Sequence, residues 1–244
     1  MTESTDLVQP SPARIFLRKL LRIGIAIVFA LLTDLKVNGK ENLPESGPLL
    51  LVGNHFHFVD PLAFIHIAPW PIEFIGNRAM PNAPVSVRIF PLLWQPLMIK
   101  RGTSSRDSLL AAKKLIDQGG VLGIFPEAGS WARVLRPPRP GTALLALRTG
   151  APLIPVGLVG FNEIFPSLKK GKRARIEVNI GKPFGPYEGE SAGRADRQKM
   201  EDIGHDIMHH IAAMIPPQDH GVYSDDPAVR EAAKEAAIYP WDIS

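Results

Sequence analysis

The sequence predicts an α/β layer fold: a central, mostly parallel or mixed sheet flanked by helices, with an N-terminal helix suited to a membrane interface. Three observations carry this reading. Apolar runs of strand length alternate with helical segments along most of the chain. His55, Arg101 and Glu127 each fall just after such a run, where open α/β sheets place their chemistry. The 244 residues, 45% of them apolar, suffice for one core with short additions. Residues 1–34 read as a disordered start and a membrane-associating helix, 35–217 as the main domain, and 218–244 as a tail.

Taken in order, residues 1–11 are polar, with Pro10 followed by Pro12, and predict disorder. Residues 14–32 have a helical pattern. Arg14, Arg18 and Arg22 recur at every fourth position, Ile15, Phe16, Leu20, Leu21 and Ile23 point elsewhere, and 23–32 is apolar on all sides. That apolar run rises about 15 Å as a helix, against a hydrocarbon core of ~30 Å, so it is too short to span. No small-x-small cleavage pattern closes it, which argues against a secretory signal. A monotopic helix with its arginines at the headgroups is expected, the alternative being a helix buried against the core.

Residues 35–38 predict a short strand, with a turn at Gly39, Pro44 and Gly47. Residues 48–53, reading PLLLVG, have the length and character of a buried strand. A helix over 60–67 follows, with Pro61 in its first turn and Pro69 and Pro71 beyond its end. Residues 72–75 predict a strand, 84–90 a short helix, and 95–100 a strand delivering Arg101 and Gly102. Ser104, three residues before Asp107, caps a helix expected to turn Leu109, Leu110, Leu115 and Ile116 inward and to stop at Gly119 and Gly120. A strand over 121–125 leads to Glu127, and an arginine- and proline-rich loop fills 131–140. A helix over 142–148 and strands over 152–159 and 174–180 come next. Residues 196–215 form an amphipathic helix with Met200, Ile203, Ile207, Ile211 and Met214 on one stripe, stopped by Pro216 and Pro217. A last helix is expected from Asp226 and Pro227 to near Tyr239 and Pro240.

Composition narrows the chemistry. Cysteine is absent, which excludes a disulfide framework, a thiol nucleophile and cysteine-ligated zinc. His205 and His209, with Glu201 one turn before, have metal-like spacing, but they lie opposite the apolar stripe and read as a solvated face, so no metal is expected. The net charge is only +4, yet basic residues group at 14–22, 133–139 and 169–175. No helix-turn-helix, finger or interleaved aromatic pattern accompanies them, so nucleic acid is set aside in favour of anionic lipid or a phosphorylated substrate.

The stretch that organises the rest is NHFHFVD, residues 54–60. His55 sits between a strand and a helix and can take a proton near neutral pH if a partner fixes its tautomer. Asp60 is the obvious partner. On one uninterrupted helix the two would point about 140° apart, so they meet only if the chain turns between them. A capping aspartate beside an ordinary loop histidine is the bland alternative.

Three further stretches follow: IKRG at 99–102, FPEAGS at 125–130 and APLIPVGL at 151–158. Together with NHxxxxD, in this order, they resemble the four blocks of the glycerolipid acyltransferases of the PlsC type, over roughly residues 35–217. The resemblance implies an O-acyltransferase acting in phospholipid biosynthesis. It would move a fatty acyl group from acyl-CoA or acyl carrier protein, as co-substrate and without a bound cofactor, to the free hydroxyl of a lysophospholipid, foremost 1-acylglycerol-3-phosphate. Alternatives are the same chemistry on glycerol 3-phosphate, another lysolipid or a glycolipid, or a non-catalytic membrane lipid-binding protein.

In the first block His55 would be the general base and Asp60 its orienting carboxylate. Arg101 and Gly102, and Glu127, Ala128 and Gly129, would bind the acceptor. Arg101 suits a phosphate because its guanidinium is planar and permanently charged. A carboxylate repels phosphate, so Glu127 suits a glycerol hydroxyl or the holding of an arginine. Backbone amides around Gly129 are a candidate anion nest. Ser130 lacks the flanking glycines of a nucleophile elbow. The chain departs from the family pattern at three places: His57 replaces a small hydroxyl residue, Ala128 replaces a glycine, and no arginine directly follows the FPE block. Alanine is strained at position 128 if positive φ is required there, and Arg133, Arg136 or Arg139 would have to supply the missing charge. The expected location is the cytoplasmic face of the cell membrane, peripheral or monotopic, with a phospholipid surface as partner.

Overall fold

The strand feeding His55 is apolar on both faces because helices cover both. In the computed structural model, which describes residues 12–77, 94, 97–99, 105–189 and 194–238, strand β2 (Leu49–Gly53) is buried at every position. Leu49 and Leu51 point into one core layer and Leu50 and Val52 into the other, as the two-residue period of a strand requires.

Around it lie β1 (Thr33–Asn38), β3 (Ile72–Asn77), β4 (Leu97–Ile99), β5 (Val121–Ile124), β6 (Leu153–Val159) and β7 (Ala174–Ile180). The sheet order is β1-β7-β6-β2-β5-β3-β4. Five strands are mutually parallel, while β7 is antiparallel to β6 and β1 is parallel to β7. The sheet is therefore mixed, with the reversed pair at one edge.

One face carries α1 (Pro12–Leu32) and α2 (Asp60–Ile67); the other carries α3 (Ser105–Asp117), α4 (Pro140–Thr149) and α6 (Arg194–Ala212). The short α5 (Ile164–Lys169) follows β6, and α7 (Pro227–Ala232) and α8 (Lys234–Ala237) close the described chain. Asp226 caps α7 by accepting the Ala228 N–H at 2.8 Å. The helix expected at 84–90, together with Arg101 and Gly102, lies outside the described residues.

Two expectations are corrected. Leu110 does not face inward: it is 52% exposed, because it sits about 200° around α3 from the buried Ala112. The arginines of α1 do not face headgroups either; they face the protein. Both terminal nitrogens of Arg18 meet both carboxylate oxygens of Glu73 on β3, one pair at 2.9 Å, and Arg18 also donates to the Trp94 carbonyl at 2.8 Å. Arg22 donates to the carbonyls of Ala68 and Trp70. Ile25 and Phe29 continue this buried stripe, and Phe16, Leu20, Ile23, Ile27 and Leu31 occupy the opposite, exposed one. Each unpaired main-chain carbonyl under the helix needs a donor; the guanidinium groups supply them, and the apolar side chains are left outside. Among the described residues no helix is long and apolar enough to cross a membrane.

Candidate active site

The site forms where β2 ends and α2 begins. Gly53, the last residue of β2, is hemmed in: a Cβ there would lie 2.7 Å from the Val156 carbonyl oxygen and 2.8 Å from the Phe64 ring. Next, Asn54 is wholly buried and takes over the ladder with its side chain. Its amide nitrogen donates to the Leu158 carbonyl at 2.9 Å, and its Oδ1 accepts the Leu158 N–H at 2.7 Å. These two bonds replace the backbone pairing that the chain gives up as it turns away. His55 is thus launched from a fixed point on the sheet.

Residues 57–59 then turn, and α2 starts at Asp60, with Pro61 in its first turn. The turn brings the two predicted partners together: His55 Nδ1 lies 3.0 Å from Asp60 Oδ2. The same Oδ2 accepts the His57 N–H at 2.7 Å. Asp60 is fully buried in the first turn of α2, where the helix dipole favours a carboxylate. A carboxylate facing Nδ1 places the ring proton there and leaves Nε2 with its lone pair free to act as a base. The His55 ring stacks on Phe125 at a centroid distance of 4.4 Å, and Phe125 packs in turn on Phe64. Rotation of the imidazole is therefore opposed on one side by rings and on the other by a carboxylate.

Glu127 follows β5 by three residues and reaches the same place. Its Oε1 accepts the His55 N–H at 2.8 Å, and its Oε2 lies 3.2 Å from Arg136 Nε. Both side chains of this ion pair are wholly buried. Burial pushes the Glu127 carboxyl up to about 7, against the downward pull of Arg136 and of the backbone N–H groups of His55 and Arg136. Of the two roles expected for Glu127, the geometry is that of holding an arginine. Arg136 also donates to the Gly129 carbonyl, and its guanidinium lies 3.7 Å over the Trp131 ring. Being buried there, it does not face outward as a spare cation.

Ala128 does adopt positive φ, 57°, the conformation in which alanine is strained. Its N–H donates to the Phe125 carbonyl at 3.0 Å, so this amide is engaged in a turn and not offered to an anion. Gly129 packs under Trp131, whose ring a Cβ would meet at 2.0 Å.

His57 stands beside the site, its ring tilted against those of Phe58 (4.1 Å between centroids) and Phe165 (5.6 Å). Burial lowers its pKa, against the upward pull of Asp60, and so disfavours a second positive charge next to His55. Arg133 is largely exposed, 3.8 Å from Glu163. Away from the site, His205 and His209 are exposed on α6 and both approach Tyr223, the first through a 2.8 Å contact to its hydroxyl. Among the described residues no three potential ligands are grouped to hold a metal ion.

Sequence reasoning did not assign Asn54, Trp131 or Phe125 any part in the site. The signal for Asn54 was its position, directly after a buried strand and directly before the histidine. For Trp131 it was weaker: one large aromatic at the start of an arginine- and proline-rich loop.

Known proteins bear on this arrangement. Residues 34–159 match the family model described as Acyltransferase. The chain is 30% identical over 135 residues to a 1-acyl-sn-glycerol-3-phosphate acyltransferase of Borreliella burgdorferi, covering 53% of this chain and 52% of that protein. It is 26% identical over 168 residues to the enzyme of the same name from Bacillus subtilis, covering 66% and 79%. The match thus spans about half the length of the first of these relatives. The fold is similar to the crystal structure of the 1-acyl-sn-glycerophosphate acyltransferase PlsC from Thermotoga maritima, with a TM-score of 0.57, 21% identity and 83% of each chain covered.

Proposed function

Because the chain belongs to the acyltransferase family, whose model its residues 34–159 match, we propose that it transfers a fatty acyl group to the free hydroxyl of a lysophospholipid, 1-acylglycerol-3-phosphate, at a membrane surface. The observation that carries this reading is the His55 Nδ1 to Asp60 Oδ2 pair, 3.0 Å apart, with the aspartate fully buried at the carboxyl edge of the sheet.

The acyl donor is a thioester of coenzyme A or of acyl carrier protein. The acceptor oxygen attacks the thioester carbonyl carbon while His55 Nε2 takes the hydroxyl proton. Collapse of the tetrahedral adduct breaks the C–S bond, and the imidazolium returns the proton to the departing thiolate. Asp60 holds the Nδ1 tautomer and stabilises the transient cation. The nucleophile comes from the substrate, so no acyl-enzyme is required.

The outward apolar stripe of α1 supports peripheral attachment to a membrane; the cytoplasmic face is part of the proposal. There the acceptor would diffuse laterally to the site. The test is release of free thiol from acyl-CoA by purified protein with liposomes, with and without lysophosphatidate. Release should require the acceptor and fall on the order of 10²- to 10⁴-fold in His55→Ala. Release without acceptor would identify a thioesterase. Acceptor-dependent release that survives the substitution would remove His55 as the base.

A further inference from the structure

The His55–Asp60 pair leaves unexplained why an ion pair is buried beside it. Glu127 and Arg136 are both wholly inaccessible, and burying two charges costs several kcal/mol per ion unless every donor and acceptor is met. Here the contacts that offset that cost also reach the site. The carboxylate accepts the backbone N–H of His55, so its position sets the position of the imidazole's own Cα. Arg136 holds the carboxylate from the far side. It also grips the Gly129 carbonyl and lies over Trp131, folding the loop after β5 onto itself.

The backbone around Arg136 is fixed just as closely. Leu135, before it, donates its N–H to the Asp219 carbonyl at 2.9 Å and accepts the Val222 N–H at 3.3 Å. Arg139, after it, donates its N–H to the Pro126 carbonyl at 2.8 Å. The segment beyond α6 therefore straps down the residue that carries the guanidinium. At Gly221 (φ 55°) the strap comes so near that a Cβ would meet the Leu135 carbonyl oxygen at 2.2 Å. One chain of contacts runs from this strap through Leu135 and Arg136 to Glu127 and ends on His55.

We propose that Arg136 is a positioning residue for the reaction, acting through Glu127 on the backbone of His55, and that Glu127 belongs to this relay and not to the acceptor's binding site. The proposal rests on the reading of His55 as the general base. A guanidinium is suited to the task because its planar fork engages the carboxylate and a carbonyl at once, which a lysine ammonium cannot do in the same geometry.

The experiment compares wild type, Arg136→Lys and Glu127→Gln. Arg136→Lys keeps the positive charge beside Glu127, so it avoids the unpaired buried carboxylate that an alanine would leave. Two readouts are taken: kcat and acceptor KM in the thiol-release assay, and amide hydrogen exchange of the peptide covering residues 54–60. Both variants should lose about 10²-fold in kcat, the scale of a small misplacement of a catalytic group, with acceptor KM unchanged. Exchange at His55 should quicken while that of α6 stays as in wild type, showing an intact fold. A raised acceptor KM with kcat preserved would overturn the proposal and make these residues acceptor ligands. Unchanged exchange at 54–60 would overturn it too. Exchange needs no turnover, so a protein whose activity survived His55→Ala would refute the base assignment separately.

Discussion

The outward stripe of α1 makes a quantitative prediction. Phe16, Ile23, Ile27 and Leu31 are 63%, 57%, 53% and 68% exposed, and they stand on one side of a helix whose other side is clamped by Arg18 and Arg22. Fully burying an aliphatic or phenyl side chain is worth ~1.5–3 kcal/mol. With half to two-thirds of each still available, insertion gains about 1–2 kcal/mol per residue, and about 4–8 kcal/mol for the four together. Replacing all four by serine should therefore weaken partitioning into phospholipid vesicles on the order of 10³- to 10⁶-fold. Each change is exposed and should cost the fold no more than about 0.5 kcal/mol. Vesicle flotation gives the partition coefficient and a urea melt gives the stability. Arg18→Ala is the opposite control. It leaves Glu73 without its partner and should cost ~3 kcal/mol of stability with little change in vesicle binding. If the serine variant floated like wild type, the stripe would not be a lipid contact. If Arg18→Ala instead lost affinity for anionic vesicles at constant stability, its arginine would be reaching headgroups after all.

Two other outcomes follow from the loop after β5. Ala128→Gly relieves a residue held at φ 57°; it should stabilise by about 1 kcal/mol and raise Tm by about 2–4 °C in a chain of this size, so an unchanged or lower Tm would refute the strain. Glu127 is held up to about 7, above its ordinary value of 4.5, chiefly by burial. As pH rises between these values the unfolded chain releases the proton first, so the contribution of Glu127 to stability is fully present below about 4.5 and lost through about 7. Urea melts of wild type against Glu127→Gln should therefore diverge by up to about 3 kcal/mol across that window, and a difference independent of pH would refute the assignment.

Most of the architecture was legible because it follows from local pattern. The PLLLVG run has the length of a buried strand, and Ile203, Ile207 and Ile211 mark the apolar stripe of a helix; both are buried as those patterns predict. The His55–Asp60 encounter was legible as a condition, that the chain turn between them, and residues 57–59 do turn. What periodicity could not reveal was which side of α1 meets the protein. Arginine spacing marks a polar stripe, and a polar stripe ordinarily faces water. Whether it does depends on carbonyls and a carboxylate from residues 68–94, distant in sequence, that wait for donors. Likewise the Glu127–Arg136 pair joins residues nine apart through a loop without regular structure, where no sequence period operates.

Both ends of α1 are tied to the sheet that carries the candidate site. Near its start, Arg18 ties the helix to Glu73 on β3. At its end, Arg173 donates to the Ala30 carbonyl at 2.9 Å and to the Thr33 carbonyl at 3.0 Å, satisfying groups that a helix C-terminus leaves open. Because β1 and β7 run opposite to the central strands, this end of α1 stands at the edge where β2 and β6 finish and where His55 begins. Phe29, on the buried stripe, packs edge-on to Phe161 just beyond β6. A bilayer holding the outward stripe would therefore fix the height of His55 as well, since Arg18, Arg173 and Phe29 tie the helix to the sheet and to the segment beyond β6. An acceptor whose hydroxyl lies close to the headgroup plane could then meet the base without leaving the interface. Of the acceptors considered, a lysophospholipid meets that requirement, whereas a freely soluble glycerol phosphate would gain nothing from it.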